Sequence, residues 1–117
     1  MTHGEVVVNV SELTKIDQFK LLNTINTDKE IQGCYMSDLL SWVMGHAKRG
    51  ECWITIMSHL NIVAVASLLD LSCIIIAENE IPDDETIQKA NENDVILISA
   101  QCTSYEAVRL MIQNGLK

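Results

Sequence analysis

Residues 52–69 read CWITIMSHLNIVAVASLL, so that an apolar run, a polar break and a second apolar run follow one another. Residues 52–57 form a short run rich in Trp, Ile and Thr, which predicts a strand covered on both faces, as in parallel sheets. Residues 61–69 are apolar nearly all round, which excludes an ordinary surface helix. The stretch therefore predicts a strand, a loop at residues 58–61 and a helix that is covered either by the domain itself or by a second subunit.

The same strand-and-helix pattern recurs through the C-terminal half of the chain. Successive strand starts fall 21 and 22 residues apart, and each gap holds a helical segment. Such alternation implies right-handed crossovers between parallel strands. The sequence therefore predicts an α/β fold in two or three layers, a largely parallel sheet with flanking helices. The predicted elements are strands 52–57, 73–77 and 95–99 and helices 61–69, 83–92 and 104–114.

The N-terminal part carries weaker patterns. Residues 1–8 are expected to be an extension of a single domain over residues 9–117, although residues 5–10 have strand propensity. Ser11 is predicted to cap a short helix, and a strand is predicted over residues 19–22.

A second strand-to-helix connection is predicted after residue 32. A strand over residues 33–36 leads to Ser37, whose hydroxyl can cap a helix over residues 38–49. Asp38 would then lie near the positive end of the helix dipole, and His46 would lie on the exposed side. The predicted packing face of this helix consists of Leu39, Leu40, Val43, Met44 and Ala47.

Charge and hydropathy exclude several classes of partner. Sixteen acidic and eight basic residues give a net charge of −8, and the cations are scattered. Nucleic acid and anionic membranes are therefore not expected as partners, because both are bound through grouped cations. The chain has neither an apolar run long enough to span a bilayer nor a signal-peptide pattern, which predicts a cytoplasmic protein.

The cysteines and histidines lack the spacing of a metal site. No Cys-x-x-Cys pair occurs, and we interpret the thiols as reduced and mostly buried, with a metal site as the alternative. Neither a P-loop nor a G-x-G-x-x-G motif is present. The sequence therefore predicts no metal and no cofactor. The residues concerned are Cys34, Cys52, Cys73, Cys102, His3, His46 and His59.

Ser58, His59 and Asn61 bring a hydroxyl, an imidazole and an amide to the start of a predicted helix. Ligands of open parallel sheets bind beyond the carboxyl ends of the strands, where Gln101 and Thr103 are also expected. These five residues are the predicted site for an anion or a sugar hydroxyl. Alternatively, Ser58 or Asn61 caps the helix and His59 is solvated; a third hypothesis is a nucleophilic pair of Ser58 and His59.

Residues 28–41, DKEIQGCYMSDLLS, resemble the motif that names the DRTGG domain family and the Tyr-Val-Ser-Asp-Leu-Leu-Ser run that follows it. Lys29 stands where the family has Arg, Gln32 where it has Thr, and Cys34 where it has the second Gly. An Arg-to-Lys exchange loses a planar two-point anion contact. The motif residues carried over are Asp28, Lys29, Gln32, Gly33, Ser37 and Asp38.

The resemblance implies a fold like the non-catalytic N-terminal domain of HPr kinase/phosphorylase. It implies a regulatory or scaffolding role, since DRTGG domains occur beside CBS domains. The implied partner is a small phosphorylated metabolite, a nucleotide or a protein. The alternative hypothesis is an enzyme or phosphotransfer subunit that uses His59 and Ser58. Residues 61–69 are apolar nearly all round, and 48% of the residues in the chain are hydrophobic. Together these two features predict a homodimer.

Overall fold

Strands and helices alternate along the chain, as the spacing of its C-terminal half predicts. The computed structural model describes residues 8–116. Its strands are β1 (Val8–Asn9), β2 (Phe19–Leu21), β3 (Glu30–Ile31), β4 (Gly33–Met36), β5 (Glu51–Thr55), β6 (Cys73–Ile76) and β7 (Leu97–Ala100). Its helices are α1 (Val10–Leu13), α2 (Leu40–His46), α3 (Asn61–Leu69), α4 (Asp84–Glu92) and α5 (Ser104–Gln113).

The main sheet has five strands in the order β2-β7-β6-β5-β4. Strands β4 to β7 pair in parallel, whereas β2 joins the far edge antiparallel to β7. Strands β1 and β3 form a separate antiparallel pair. The predicted α/β class and the parallel pairing of the three C-terminal strands are confirmed, with strand ends within two residues of prediction.

Both faces of the sheet are covered, which gives three layers. Cys52, Ile54 and Ile75 point into a core beneath α1 and α5, whereas Trp53 and Ile74 point into a core beneath α2, α3 and α4. Every residue of β6 and β7 is buried. This two-sided burial explains why these strands read as continuous apolar runs rather than alternating ones.

The domain itself covers most of the apolar surface of α3. Ile62, Val63, Val65 and Ala66 are buried, while Leu68 remains 70% exposed. Helix α3 contacts both α2 and α4, so two neighbours account for the covered sides. Between residues 8 and 116, no helix is long and apolar enough to cross a membrane.

The predicted start of the first helix is wrong. Helix α1 is capped by Asn9, whose side chain accepts a hydrogen bond from the Ser11 amide, while Glu12 bonds back to the Asn9 amide. This reciprocal arrangement satisfies two free amides, which a cap at Ser11 could not do. Of the predicted strand 5–10, residues 8 and 9 form β1 and residue 10 begins α1. Residues 5–7 and the first seven residues of the predicted extension 1–8 lie outside the described residues.

The predicted bounds of the second helix are also wrong. Helix α2 begins at Leu40 and ends at His46, and the Ser37 hydroxyl accepts from the Leu39 amide ahead of it. The Asp38 carboxylate does not meet the helix dipole, because it accepts from the Thr55 hydroxyl and the Ile56 amide at the end of β5. In the predicted packing face, Leu39 and Met44 are exposed, Leu40 and Ala47 are half-buried, and only Val43 is fully buried. His46 is exposed, as predicted.

Asn23 is a buried polar residue that fastens the antiparallel edge of the sheet. Its amide nitrogen donates to the Val95 carbonyl at 2.6 Å, and its amide oxygen accepts from the Leu97 amide at 3.1 Å. The Leu22 amide donates to the Leu97 carbonyl at 2.9 Å beside this pair. Both polar ends of Asn23 are therefore satisfied, as burial requires.

We expect Asn23→Ala to lower the free energy of unfolding by about 1–3 kcal/mol, because it leaves a buried carbonyl and a buried amide without their partner. Asn26→Ala is the matched control, since Asn26 is exposed and accepts a single local bond from Asp28. We expect that control to stay within about 0.5 kcal/mol of the parent. Urea denaturation measures both, and equal effects would contradict the role of Asn23.

Candidate functional site

The loops after β5, β6 and β7 lie along the carboxyl edge of the sheet, as predicted for ligand contacts. Ser58 is half-buried, and His59, Asn61, Gln101 and Thr103 are exposed. All five therefore lie at one edge. Their role in binding stays a prediction.

The carboxyl-edge loops that carry the five predicted residues lead to different faces of the sheet. Helices α3 and α5 lie on opposite faces of the sheet, with β6 between the strands that lead to them. The loop after β6 is hydrogen-bonded to the loop after β7, because the Glu78 amide donates to the Cys102 carbonyl at 2.7 Å. Residues 58–61 and residues 101–103 are thus separated by an acidic loop that contains Glu78 and Glu80.

The two helix starts at this edge differ in their capping. Thr103 caps α5, since its hydroxyl accepts from the Glu106 amide at 3.1 Å. At α3 the cap position is Leu60, and no side-chain hydrogen bond caps the helix. The alternative in which Ser58 or Asn61 is the cap is therefore wrong. The Ile62 and Val63 amides instead donate to the His59 and Leu60 carbonyls at 3.2 and 3.1 Å, so backbone bonds close the first turn of α3.

The opposite, amino edge of the sheet contains a cavity of about 340 Å³. It lies where the chain enters β4, β5 and β6, and the loops there are joined through the backbone. The Gln32 amide donates to the Gly50 carbonyl, and the Gly50 amide donates to the Asp70 carbonyl, both at 2.9 Å. We call this the amino-edge cavity. It is lined by Lys29, Glu30, Gln32, Arg49, Gly50, Asp70, Leu71 and Ser72.

Positive and negative side chains are balanced in this lining. The Lys29 ammonium donates to the Asp94 carbonyl at 2.7 Å, with the Asp94 carboxylate 3.5 Å away. The Arg49 Nε donates to Asp70 Oδ2 at 2.8 Å, and the arginine side chain is 83% exposed. Because Asp70 engages only Nε, the terminal guanidinium nitrogens can still donate to a ligand.

Ser72 adds a polar group that the fold itself does not use. The residue is 3% exposed, and its hydroxyl oxygen has no hydrogen-bond partner among residues 8–116. A buried hydroxyl without a partner costs free energy, and such groups are uncommon in folded proteins. Ser72 lies in the lining of the amino-edge cavity, but its hydroxyl oxygen is shielded from solvent, so a ligand reaches it only if the lining rearranges.

The motif residues divide between the two edges of the sheet. Lys29 and Gln32 line the amino-edge cavity, Asp28 accepts a hydrogen bond from Asn9, and Gly33 opens β4. Ser37 and Asp38 lie at the carboxyl end of β4, where they bond to Leu39, Thr55 and Ile56. Cys34 does not have a positive φ, so its backbone does not require glycine.

Arg49, Asp70 and Ser72 are among the lining residues that were not predicted from the sequence. They lie in the segments that lead into β5 and β6, and the carboxyl-edge rule for parallel sheets directs attention to the opposite side. Within the described part of the chain, no three His, Cys, Asp or Glu side chains are arranged to hold a metal ion.

Comparison with known proteins supports the family resemblance at the level of the fold. No family model and no curated protein matches the chain. A similar solved structure is that of the CBS and DRTGG domains from the regulatory region of a Clostridium perfringens pyrophosphatase, complexed with its activator diadenosine tetraphosphate. The TM-score is 0.72 at 20% sequence identity. The chain has a DRTGG-like fold.

The likeness to this DRTGG-containing structure extends over 92% of the chain but only 50% of the neighbour. The DRTGG-like fold therefore accounts for nearly the whole sequence. At this identity the comparison establishes the fold, and the ligand named with that structure belongs to the pyrophosphatase.

Gly50 lines the amino-edge cavity in a backbone conformation that favours glycine. Its φ is +81°, and a Cβ added there would lie 2.5 Å from the Gln32 Cγ. We expect Gly50→Ala to lower the free energy of unfolding by at least about 1–2 kcal/mol, since both the left-handed backbone and the contact oppose a side chain.

Gly45→Ala is the matched control for this substitution. Gly45 belongs to α2, and a Cβ there would meet nothing within 4 Å. Alanine favours helix over glycine, so we expect a gain of roughly 0.5–1 kcal/mol. Thermal or urea unfolding compares the two variants, and a Gly50→Ala protein as stable as Gly45→Ala would contradict the constraint.

Proposed function

We propose that this chain is a non-catalytic regulatory domain that binds a small phosphorylated metabolite or a nucleotide. The main support is the amino-edge cavity, whose lining combines the motif residues Lys29 and Gln32 with Arg49 and Ser72, a residue whose hydroxyl has no partner among residues 8–116. A second support is the DRTGG-like fold, since the similar structure is a regulatory region complexed with a dinucleotide activator. The proposal places the domain in the cytoplasm, where its four free cysteines would stay reduced.

A phosphate is the ligand group that this lining suits best. The free guanidinium nitrogens of Arg49 can make charge-assisted hydrogen bonds to phosphate oxygens, and the Ser72 hydroxyl can donate a further one if the lining rearranges. Glu30 and Asp70 oppose an anion locally, and the net charge of −8 opposes it at long range. Salt screens exposed charges beyond about 8–10 Å, so the balance is decided by the direct donors.

The carboxyl edge remains a second proposed location for the same ligand class. Its supports are the N-terminal end of α3 and the exposed side chains of His59 and Asn61 beside it. Helix N-termini favour anions through their dipole. Because α3 and α5 are on opposite faces, a ligand here would use residues 58–61 without requiring Gln101 or Thr103.

Thermal-shift measurements with nucleotides and sugar phosphates test the proposal and separate the two locations. We expect these ligands to stabilise the parent protein. Arg49→Gln or Ser72→Ala should weaken ligand binding at least about tenfold, because each removes a donor to the phosphate. The matched controls are Arg109→Gln, an exposed arginine on α5, and the pair His59→Ala and Asn61→Ala. If ligand binding is lost only in His59→Ala and Asn61→Ala, the site lies at the carboxyl edge.

The same panel distinguishes regulation from catalysis and from protein binding. In the alternative function, Ser58 and His59 would take part in phosphoryl transfer, which needs a group that orients His59 as a base. Turnover of labelled ATP, or a covalent label on Ser58 or His59, would overturn the non-catalytic proposal. No hit at millimolar concentration would favour a partner protein over a metabolite.

We also propose that the chain forms a homodimer, for which exposed apolar residues around α2 are the support. Leu39, Trp42 and Met44 are 59%, 54% and 45% exposed; Leu39 directly precedes α2, and Trp42 and Met44 belong to it. Helix α3, from which a dimer is predicted, retains Leu68 as its large exposed apolar residue. Two-fold dimers are the commonest assemblies of such surfaces.

Light scattering coupled to size exclusion measures the assembly. We expect about twice the 13.1 kDa of one chain, reduced to one chain by Trp42→Lys because a charge opposes burial of this surface. Leu68→Lys is the control that tests α3 instead. A mass near 13.1 kDa for the parent at micromolar concentrations would contradict the dimer.

A further inference from the structure

Three cysteines form a row across the main sheet. Parallel pairing sets Cys34 of β4 opposite Cys52 of β5, and Cys52 opposite Cys73 of β6. All three belong to the core beneath α1 and α5, so their side chains share one face. Neighbouring strands lie about 4.7–4.9 Å apart, which is within the Cα separations of about 4.4–6.8 Å found in disulfides.

Access to solvent distinguishes the three thiols. Cys52 and Cys73 are 0% and 1% exposed, whereas Cys34 is half-buried on a strand at the edge of the sheet. A small oxidant in solution therefore reaches Cys34 first. Cys52 is the neighbouring thiol within reach of Cys34, because Cys73 is one strand further away.

Hydrogen bonding also divides the roles of this pair. The Cys52 thiol donates to the sulfur of Cys34 and lowers the Cys34 pKa, although burial and the Glu51 carboxylate act in the opposite direction. The same bond, a second bond to Cys73 and complete burial raise the pKa of Cys52. The reactive thiolate is thus favoured at Cys34, and the proton is retained at Cys52.

We propose that Cys34 and Cys52 form a reversible modification site for peroxide, with Cys34 as the attacked residue and Cys52 as the resolving residue. The Cys34 thiolate attacks a peroxide oxygen, the O–O bond breaks, and a sulfenic acid and water form after protonation. The Cys52 sulfur then displaces the sulfenic hydroxyl, which leaves as water with the Cys52 proton. Two thiols and one hydrogen peroxide thus give one disulfide and two waters.

The geometry favours a bond that cellular thiols can reduce again. Residues directly opposite each other in parallel strands hold their Cβ atoms near the strand spacing, which exceeds the roughly 3.8 Å average of disulfides. Closing the bond therefore strains it, and strained disulfides are the more readily reduced ones. The bond would fasten β4 to β5 two residues from Gln32, which lines the amino-edge cavity.

Peptide mapping of the folded, peroxide-treated protein tests this assignment without any substitution. After remaining thiols are alkylated, tryptic cleavage places Cys34 in residues 30–48 and both Cys52 and Cys73 in residues 50–89. We expect these two peptides to be joined within one chain and released by dithiothreitol. The join should persist in Cys73→Ser, since Cys73 takes no part.

Variants of the pair supply the controls. In Cys52→Ala we expect Cys34 to stop at the sulfenic acid and to be labelled by dimedone; in Cys34→Ser we expect neither the label nor the join. Cys102→Ser is the matched control, because Cys102 is a half-buried thiol outside the row. Three results would overturn the proposal. They are a disulfide confined to residues 50–89, a disulfide between two chains through Cys34, and oxidation of Cys102 under conditions in which Cys34 and Cys52 form no disulfide.

Discussion

Parallel pairing of β5, β6 and β7, with both faces buried, is the constraint on which the rest of the structure depends. Each strand must run in the same direction as its neighbour, so the chain has to return through a helix, and those helices cover the faces. Loops of two kinds result: those leaving strands at the carboxyl edge and those entering them at the amino edge. Both candidate sites, and the row of cysteines, follow from this single arrangement.

The C-terminal half could be predicted because local and tertiary preferences agree there. Pro82 is buried just before α4, and Asp83 caps that helix by accepting from the Thr86 amide, which lowers the pKa of Asp83. The region around α2 could not be predicted in the same way. Asp38 is a good first-turn residue by propensity, but hydrogen bonds from Thr55 and Ile56, distant in sequence, hold its carboxylate at the end of β5. Tertiary contacts here override a local signal.

In the same way, only part of the candidate sites could be predicted from the sequence. Residues 58–61 could be predicted as a loop leading into a helix because they follow an apolar strand, and helix α3 indeed begins at Asn61. Arg49, Asp70 and Ser72 come together only once β4, β5 and β6 are in register, and no sequence spacing connects them to Lys29. The unpartnered hydroxyl of Ser72 is likewise a property of packing, which a single sequence does not encode as a pattern.

The departures from the DRTGG motif acquire a physical meaning in this fold. Neither Gly33 nor Cys34 has a positive φ, so neither position needs glycine for its backbone conformation. Gly33 is constrained by space instead, because a Cβ there would lie 3.3 Å from the Glu51 carboxylate. That carboxylate accepts from the Lys48 amide at 2.6 Å and so helps to hold the loop that carries Arg49. The first glycine is therefore tied to the shape of the amino-edge cavity, whereas the second position is free to hold a side chain. In this chain that freedom places a thiol opposite Cys52.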